Sequence, residues 1–375
     1  MKRIQKITLG LLTVMALCIV AATLYITSPA FQNWSQKPLG PTLGVPTEWA
    51  LPATWTVSPR TPLPTTTLAS TWTAAPRTPT SAFLVCNNLP TMTVLAIGTD
   101  DRSEEYGSAR ADVMRAVRID FQRQRVTVLE FPRDLWVKIP GIERNLKTDH
   151  QKLNTAYTYG RPDFGPGLLA QTLDLNFGLE VDHYIVANMR VFVDVVDALG
   201  GLDVTIPEGG IDGRTSTDRS ERLVFPEGSQ HLNGQQALTL ARMRNVSVFE
   251  RAEHQNMVMC ALRKQIESPE VIVRLPAIMD SFMAHVQTDL TPGQISQLAC
   301  LGTQMPRSNI MFAAFPLEEF KSAYIYDPVL KQEVFIWETD FNTLRGYVSE
   351  FQAGTWPSPF PVPGGTPEPE VSRCE

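Results

Sequence analysis

The sequence predicts a folded unit of the α/β or α+β class that is built around a mixed β-sheet. Two observations support this class. Short β-rich runs alternate with helix-like runs through the middle of the chain. Several of the helix-like runs are bounded by capping residues. The pattern comprises strand-like runs 92–97, 114–120, 125–131 and 202–206, and helix-like runs 191–199, 235–244 and 251–266, with one more helix after Thr291.

The first strands follow from composition and from turn residues. The run 92–97 is apolar and ends at Gly98. The runs 114–120 and 125–131 are rich in β-forming residues, and a polar Gln/Arg turn separates them. Two such runs joined by a short polar turn predict an antiparallel pair.

The helices follow from spacing and from caps. Apolar residues recur at helical spacing over 191–199, and Gly200 and Gly201 supply a C-cap. Further on, Thr291 is a candidate N-cap, a proline occupies the first helical position, and Gln294 completes a capping box. These signals predict where two of the helices end or begin.

The N-terminus carries a candidate membrane anchor. Residues 7–27 are uncharged and mostly apolar, long enough to cross a bilayer and long for a cleaved signal peptide. Basic residues lie in the preceding segment 1–6, so the positive-inside rule predicts a cytoplasmic N-terminus. Cleavage near Ser28 is the alternative. We expect a single-pass signal anchor in the cell membrane, with the rest of the chain extracytoplasmic.

Two proline-rich segments flank the folded unit. Of the 29 prolines, ten lie in residues 28–80 and six in residues 356–375. Segments of this composition have no hydrophobic period and favour an extended chain over a packed core. We therefore expect a Pro/Thr-rich disordered linker over 28–84, one extracytoplasmic domain over 85–352 and a Pro-rich disordered tail over 353–375.

Charge and cysteine content exclude two classes of protein. The net charge is −6 and no basic stripe is evident, which speaks against a nucleic-acid binder. No cysteine has CxxC spacing and no histidine lies at ligand spacing, which excludes the common zinc patterns. Up to two disulfides in three pairings are possible outside the membrane, with buried free thiols as the alternative for two of the cysteines. The cysteines outside the predicted span are Cys86, Cys260, Cys300 and Cys374.

Arginine and aspartate recur together at the ends of predicted elements. Asp100 and Arg102 follow the first strand, and Arg133 and Asp134 follow another. Arginine forms forked hydrogen bonds with phosphate oxygens, and aspartate is a hard ligand for Mg²⁺ or Mn²⁺. The pattern therefore suits a pocket for a metal-bound diphosphate, with surface ion pairs as the alternative. The motifs GxSxG, HExxH, GxxxxGK[ST] and GxGxxG do not occur in the sequence.

Six motifs, taken together, resemble those of the LytR-CpsA-Psr family. Each motif is short, but their order over residues 92–266 is specific. The resemblance extends to about Pro316, whereas residues 317–352 match no part of the family pattern. The motifs are Gly98-Thr99-Asp100-Asp101-Arg102, Arg110-Ala111-Asp112, Phe131-Pro132-Arg133-Asp134, Lys152-Leu153-Asn154-Thr155-Ala156-Tyr157, Asp197-Ala198-Leu199-Gly200-Gly201-Leu202-Asp203-Val204, and Leu232-Asn233-Gly234-Gln235-Gln236-Ala237-Leu238 with Ala241-Arg242-Met243-Arg244.

The resemblance implies a three-layer α-β-α fold with a central mixed β-sheet and an apolar cleft for a polyprenyl chain. It implies a phosphotransferase that moves a glycopolymer from a polyprenyl-pyrophosphate carrier to a peptidoglycan sugar hydroxyl, forming a phosphodiester. By position, Asp100 and Asp112 are expected to bind Mg²⁺ or Mn²⁺. Arg133 and Asp134 are the expected catalytic pair, in which Asp134 orients Arg133 or assists proton transfer. The expected diphosphate-binding residues are Arg102, Arg110, Arg133, Arg242, Arg244, Arg251 and Gln255.

Three positions depart from the family pattern. Val248 stands where an aspartate is expected, Glu250 replaces a glycine, and His254 replaces an arginine before Gln255. One carboxylate and one guanidinium are thereby lost, although His254 can still donate a hydrogen bond to phosphate.

Three hypotheses remain open at this stage. The first is the metal-dependent transferase. The second is a non-catalytic or pyrophosphatase-type envelope protein that binds polyprenyl phosphates. The third is a transcription regulator, against which the extracytoplasmic placement and the lack of an evident helix-turn-helix argue.

Overall fold

The computed structural model describes residues 28–44, 91–100, 109–160, 163–215, 223–244, 248–266, 286–357 and 372–374. The predicted anchor over 7–27 lies outside these residues. No helix within the described ranges is long and apolar enough to cross a membrane. The helices are α1 Pro29–Ser35, α2 Glu143–Leu146, α3 Leu153–Tyr159, α4 Gly165–Phe177, α5 Met189–Ala198, α6 Gly234–Arg242, α7 Val248–Ile266, α8 Pro292–Gln304 and α9 Phe341–Ala353. The strands are β1 Met92–Thr99, β2 Ala111–Asp120, β3 Arg125–Glu130, β4 Trp136–Lys138, β5 His150–Lys152, β6 His183–Asn188, β7 Leu202–Ile206, β8 Ile211–Thr215, β9 Leu223–Phe225, β10 Gly228–Leu232, β11 Met243–Arg244, β12 Gln287–Thr288, β13 Ile310–Ala313, β14 Lys321–Asp327, β15 Gln332–Glu338 and β16 Ser372–Arg373.

A mixed sheet forms the centre of the domain. Its seven strands run in the order β12-β6-β1-β2-β3-β13-β16. β1 pairs antiparallel with β2, and β2 antiparallel with β3, which confirms the predicted antiparallel pair. β1 is parallel to β6 and β3 is parallel to β13, so the chain crosses over between these neighbours. The mixed sheet expected from the sequence is therefore present.

Helices pack against both faces of this sheet. Successive residues of a strand point to opposite faces, and β1 shows the result. Leu95 is fully buried in a core that it shares with Leu169 of α4 and Val348 of α9. Its neighbour Val94 lies in a different core together with Leu301 of α8. The arrangement is therefore helix–sheet–helix. Each fully buried apolar side chain of this kind contributes about 1.5–3 kcal/mol to the free energy of folding.

The predicted helix caps are present, and one predicted helix boundary is wrong. Thr291 and Gln294 form a capping box at the start of α8, and Gly200 and Gly201 both have positive φ after α5. The helix predicted to continue to residue 244 instead ends at Arg242. It ends there because the next two residues pair antiparallel with β8 and so adopt extended backbone.

Parts of the proline-rich flanks contact the domain. In the segment 28–44, the backbone N–H of Leu39 donates to the carbonyl of Leu290 at 3.2 Å, and the Tyr184 hydroxyl donates to the carbonyl of Pro41 at 2.8 Å. In the C-terminal segment, Trp356 is buried in the main core, and β16 pairs with β13 at the edge of the sheet. These described parts of the expected linker and tail are therefore ordered against the domain.

A disulfide closes the C-terminal segment onto the domain. Cys260 of α7 is bonded to Cys374, which follows β16, and 114 residues separate the two cysteines. Cys374 is only 2% exposed. Cys300 is also disulfide-bonded. The free-thiol alternative for Cys260 and Cys300 is therefore wrong.

We expect the substitution Cys374→Ser to lower the free energy of unfolding by about 2–4 kcal/mol, because the crosslink restricts a long loop of the unfolded chain. Thermal and urea unfolding of the purified protein measure the loss. The variant Cys260→Ser and the double variant are the controls, since all three break the same bond and should lose the same stability. Additive losses in the double variant would contradict this account.

Candidate functional site

The first part of the site is the end of the β1–β2 pair. Asp100 follows β1, and antiparallel pairing of Thr99 with Ala111 places Asp100 opposite Arg110. The backbone N–H of Arg110 donates to Oδ1 of Asp100 at 2.8 Å, which holds that carboxylate. Asp112 lies two residues further on in β2. One end of this strand pair therefore brings together three of the predicted site residues.

The second part follows β3. β3 runs antiparallel to β2 and so returns the chain towards Asp112 at the start of β2. The backbone N–H of Phe131 donates to the carbonyl of Met114 at 2.9 Å. Arg133 then extends over the sheet edge, where Nη1 forms an ion pair with Asp112. Nε of Arg133 also donates to Oδ2 of Asp134 at 3.3 Å. Arg133 is thus held between two carboxylates that the sequence separates.

Lys152 completes this array from a third element. The short β4–β5 pair places Trp136 opposite Lys152. Nζ of Lys152 donates to Oδ1 of Asp134 at 2.9 Å, while the N–H of Asn154 donates to the carbonyl of Arg133 at 3.2 Å. Charges of alternating sign therefore form one continuous chain from Asp112 to Lys152.

Burial and neighbouring charges have opposite effects on the pKa values of Arg133 and Asp134. Burial alone acts to lower the pKa of Arg133, but the carboxylates of Asp112 and Asp134 outweigh it and raise that pKa. Burial alone would raise the pKa of Asp134, but Arg133 and Lys152 outweigh it and lower that pKa below its ordinary value. Arg133 and Asp134 therefore both carry their charges near neutral pH. Asp134 is suited to orienting Arg133 and poorly suited to acting as a proton donor.

The array lines a cleft of about 280 Å³. Three neighbouring regions contribute to its walls: the sheet end, the β4–β5 pair with the start of α3, and the β14–β15 hairpin. The hairpin lies within residues 317–352, for which the sequence motifs predicted no role. The lining residues are Asp100, Arg110, Asp112, Arg133, Asp134, Gln151, Lys152, Asn154, Thr155, Asp327, Leu330, Gln332 and Val334.

The remaining predicted residues are placed as follows. Arg102 is outside the described residues. Oε1 of Gln255 accepts a hydrogen bond from Arg115 at 3.0 Å, and Gln255 does not line the cleft described above. Nδ1 of His254 is buried with no hydrogen-bond partner in the described part of the chain. The arginines of the expected second group lie at the end of α6, in β11 and in α7: Arg242, Arg244 and Arg251.

The carboxylates of the cleft suit a divalent metal only if the substrate completes its ligand set. Among the described residues, no group of three or more His, Cys, Asp or Glu side chains is placed to hold a metal ion. Asp100 and Asp112 do line the same cleft. Mg²⁺ commonly binds through one or two carboxylates and takes its other ligands from substrate phosphates and water. The donor set therefore fits a metal ion that arrives with a diphosphate.

Two groups of lining residues were missed as functional residues at the sequence level. Lys152 begins one of the six family-like motifs, and that place was the available signal, although no role was predicted for it. Asp327 and Gln332 belong to the hairpin, whose signal was two short runs rich in β-branched and aromatic residues, 323–326 and 334–337.

Comparison with known sequences matches this chain to one family. The model of the LytR_cpsA_psr family matches residues 65–340. The match includes the β14–β15 hairpin, so the expectation that residues 317–352 lie outside the family pattern is wrong as far as residue 340. The chain is 29% identical over 201 residues to the polyisoprenyl-teichoic acid–peptidoglycan teichoic acid transferase TagV of Bacillus subtilis, covering 53% of this chain and 49% of TagV. It is 31% identical over 212 residues to the transferase TagU of Oceanobacillus iheyensis, covering 55% and 61%. It is 28% identical over 209 residues to the regulatory protein MsrR of Staphylococcus aureus, covering 55% and 58%.

Comparison with solved structures agrees on the fold. The crystal structure of B. subtilis TagV superposes with a TM-score of 0.53 at 23% identity, covering 70% of this chain and 98% of that one. The matched sequence spans about half to three-fifths of the length of the curated relatives. The similarity therefore establishes the fold and leaves the activity to be argued from the cleft.

We expect Asp134→Asn to destabilise the protein by about 1–3 kcal/mol near neutral pH, because it removes the charge that pairs with two partly buried cations. The lowered pKa of Asp134 means that its ionised form stabilises the fold above its ordinary pKa of 3.8. That contribution disappears as the pH falls through the lowered value, so wild type and variant should converge in acid. Urea unfolding over a pH series measures this, with Asp163→Asn, at an exposed aspartate before α4, as control. If the difference in unfolding free energy between wild type and Asp134→Asn does not change with pH, this explanation is wrong.

Proposed function

The chain belongs to the LytR_cpsA_psr family, and on that premise we propose that it is a glycopolymer phosphotransferase. It moves a glycopolymer from a polyprenyl-pyrophosphate carrier to a sugar hydroxyl of peptidoglycan and forms a phosphodiester. The observation that carries this proposal is the charge array from Asp112 through Arg133 and Asp134 to Lys152, which lines one cleft. The relatives TagV and TagU are named for this class of reaction, the transfer of teichoic acid to peptidoglycan.

The array performs the tasks that phosphoryl transfer requires. The acceptor hydroxyl attacks the phosphorus that carries the glycopolymer, the bridging P–O bond breaks, and polyprenyl phosphate leaves. Such a reaction needs positioning and neutralisation of oxygen charge more than a covalent nucleophile. Arg133 presents a planar fork to phosphate oxygens, and Lys152 adds a second cation 2.9 Å from Asp134. Asp134 holds both cations in place.

Asp100 and Asp112 would hold Mg²⁺ or Mn²⁺ in this proposal. Four carboxylates and three cationic side chains line the described cleft, so these residues alone leave it with an excess of negative charge. A divalent ion, when bound, supplies positive charge to the diphosphate and stabilises the charge that develops on the leaving group. Arg110 is placed beside Asp100 and would contact the same diphosphate.

The proposed location fits this substrate. A signal anchor over 7–27 would tether the domain on the outer side of the cell membrane, with the linker as a spacer. A polyprenyl carrier is itself confined to the membrane. The anchored domain would thus meet the carrier and the peptidoglycan on the same side.

We expect Arg133→Ala to reduce release of polyprenyl phosphate by at least about 10²-fold, because it removes the fork that neutralises the transferred phosphoryl group. The full chain in detergent, with Mn²⁺ and a polyprenyl-pyrophosphate-linked oligosaccharide, gives the rate. Arg133→Lys should not restore it, since an ammonium cannot form the bidentate contact. Arg123→Ala, at a side chain 66% exposed in the turn after β2, is the matched control.

The products of that assay separate the hypotheses. Release of polyprenyl phosphate together with transfer to a peptidoglycan fragment supports the transferase. Release without transfer indicates a pyrophosphatase, and tight carrier binding without release indicates a non-catalytic protein. Wild-type turnover in Arg133→Ala would overturn the assignment of the site.

We also expect the transfer to require a divalent cation. Chelation with EDTA should abolish the reaction, and Mg²⁺ or Mn²⁺ should restore it. Asp112→Asn should raise the metal concentration needed for half-maximal rate by about tenfold, because it removes one charged ligand. Asp149→Asn, whose carboxylate lies outside the cleft lining, controls for a general charge effect. A rate that is unaffected by EDTA would rule out the metal.

A further inference from the structure

The β14–β15 hairpin has one face towards the site and one face towards solvent. Its two strands pair over seven residues each. Alternate residues of a strand point to opposite faces. Val334 and Ile336 are buried, whereas Tyr324 and Tyr326 on the other face are exposed. The hairpin is therefore an amphipathic ribbon, but the exposed side is aromatic rather than polar.

The inner face is joined to the site by directional contacts. Asp327, only 1% exposed, accepts a hydrogen bond from Nε2 of Gln151 at 3.0 Å. The backbone N–H of Trp337 donates to the carbonyl of Asp134 at 3.0 Å. The tip of the hairpin thus contacts β5, and its second strand contacts the residue that orients Arg133. A ligand in the cleft necessarily lies beside this ribbon.

The outer face carries four aromatic side chains, which we call the aromatic face: Tyr324, Tyr326, Phe335 and Trp337. Phe335 and Trp337 are half-buried, and Trp337 also packs against the main core, so the two tyrosines form the exposed part of this face. Tyr324 is 71% exposed and Tyr326 is 63% exposed. The rings of Tyr324 and Phe335 pack edge to face with centroids 5.7 Å apart, and those of Phe335 and Trp337 lie 5.1 Å apart. Tyr326 directly precedes Asp327, so the aromatic face begins near the tip of the hairpin, on the side of the ribbon opposite the residues that line the cleft.

Such a surface needs an explanation, because large exposed aromatic groups placed side by side are typical of binding surfaces. We propose that the aromatic face binds the sugar backbone of the peptidoglycan acceptor strand and guides it to the cleft. This inference rests on the proposed function. The flat C–H faces of pyranose rings pack against aromatic rings, while the tyrosine hydroxyls remain free to hydrogen-bond with sugar hydroxyl and amide groups. At about 3.3 Å per residue, the ribbon is long enough for several sugar units.

The charge around the aromatic face favours an uncharged polysaccharide. Apart from the buried Asp327 of the inner face, residues 318–338 carry four carboxylates and two lysines. Glu333 lies directly opposite Tyr326 on the same face. This balance repels anionic lipid headgroups, which attract basic surfaces. It also repels a phosphate-rich polymer. The acetylated sugar backbone of peptidoglycan carries no charge of its own, so it does not meet this repulsion.

The test measures binding of the full chain in detergent to peptidoglycan sacculi from which proteins and wall polymers have been removed. We expect the double variant Tyr324→Leu/Tyr326→Leu to bind about tenfold more weakly, because leucine keeps apolar area but loses the ring. The variant Tyr324→Phe/Tyr326→Phe should stay within about threefold of wild type, since it loses only the hydroxyls. Val224→Ser, on a side chain 63% exposed in β9, is the control for loss of exposed apolar surface.

Each alternative has its own outcome. Equal binding of sacculi by wild type and the leucine variant overturns the inference. Loss of binding to vesicles of anionic phospholipid, rather than to sacculi, assigns the aromatic face to the membrane. A wild-type dimer that becomes a monomer in the leucine variant assigns it to a second copy of this chain. Each of these results overturns the proposal.

The experiment also separates this inference from the proposed function. Release of polyprenyl phosphate in the presence of water alone does not involve the acceptor strand, so the leucine variant should retain that rate if wild type shows it. Transfer to a long glycan strand should fall with sacculus binding. If wild type binds sacculi through the aromatic face but transfers nothing, the acceptor surface stands and the transferase assignment fails.

Discussion

The ion pair between Arg133 and Asp112 is the interaction on which the rest of the site depends. It joins the residues after β3 to the start of β2, and Asp134 continues the chain of charges to Lys152. Burying charges is costly unless each has a partner. The two carboxylates and two cations satisfy one another inside the cleft, which is why the pKa of Arg133 rises and that of Asp134 falls. A diphosphate would enter a site whose cations are already oriented, so little reorganisation is required on binding.

The outer elements of the fold keep this array in place. The β14–β15 hairpin contacts it through the backbone of Asp134 and through the Asp327–Gln151 hydrogen bond. On the far side of the sheet, the Cys260–Cys374 disulfide joins α7 to the edge strand β16. The proline-rich C-terminal segment, which composition alone assigns to a disordered tail, thus contributes an edge strand and one half of a crosslink.

The sequence predicted those parts of the fold that depend on residues close together in the chain, such as turns and helix caps. The antiparallel β2–β3 pair followed from a polar turn, and the start of α8 from its capping box. The assembly of Asp100, Asp112 and Arg133 was predictable because each follows or begins a strand at one end of the sheet. The Asp327–Gln151 contact was not predictable, since 176 residues separate its partners. The disulfide pairing could not be predicted from the sequence either, because several pairings are compatible with the same number of cysteines.

The aromatic face and the charge array have complementary roles in the proposed reaction. A phosphotransferase with a polymeric acceptor faces two opposite requirements. The donor is a diphosphate and needs cations, whereas the acceptor is a long sugar chain that binds weakly per unit and must not compete for those cations. A separate aromatic surface meets the second requirement, because stacking on rings is insensitive to the charge inside the cleft. The hairpin joins the two surfaces within one short element: Tyr326 faces outwards, and the next residue, Asp327, is hydrogen-bonded to the cleft wall.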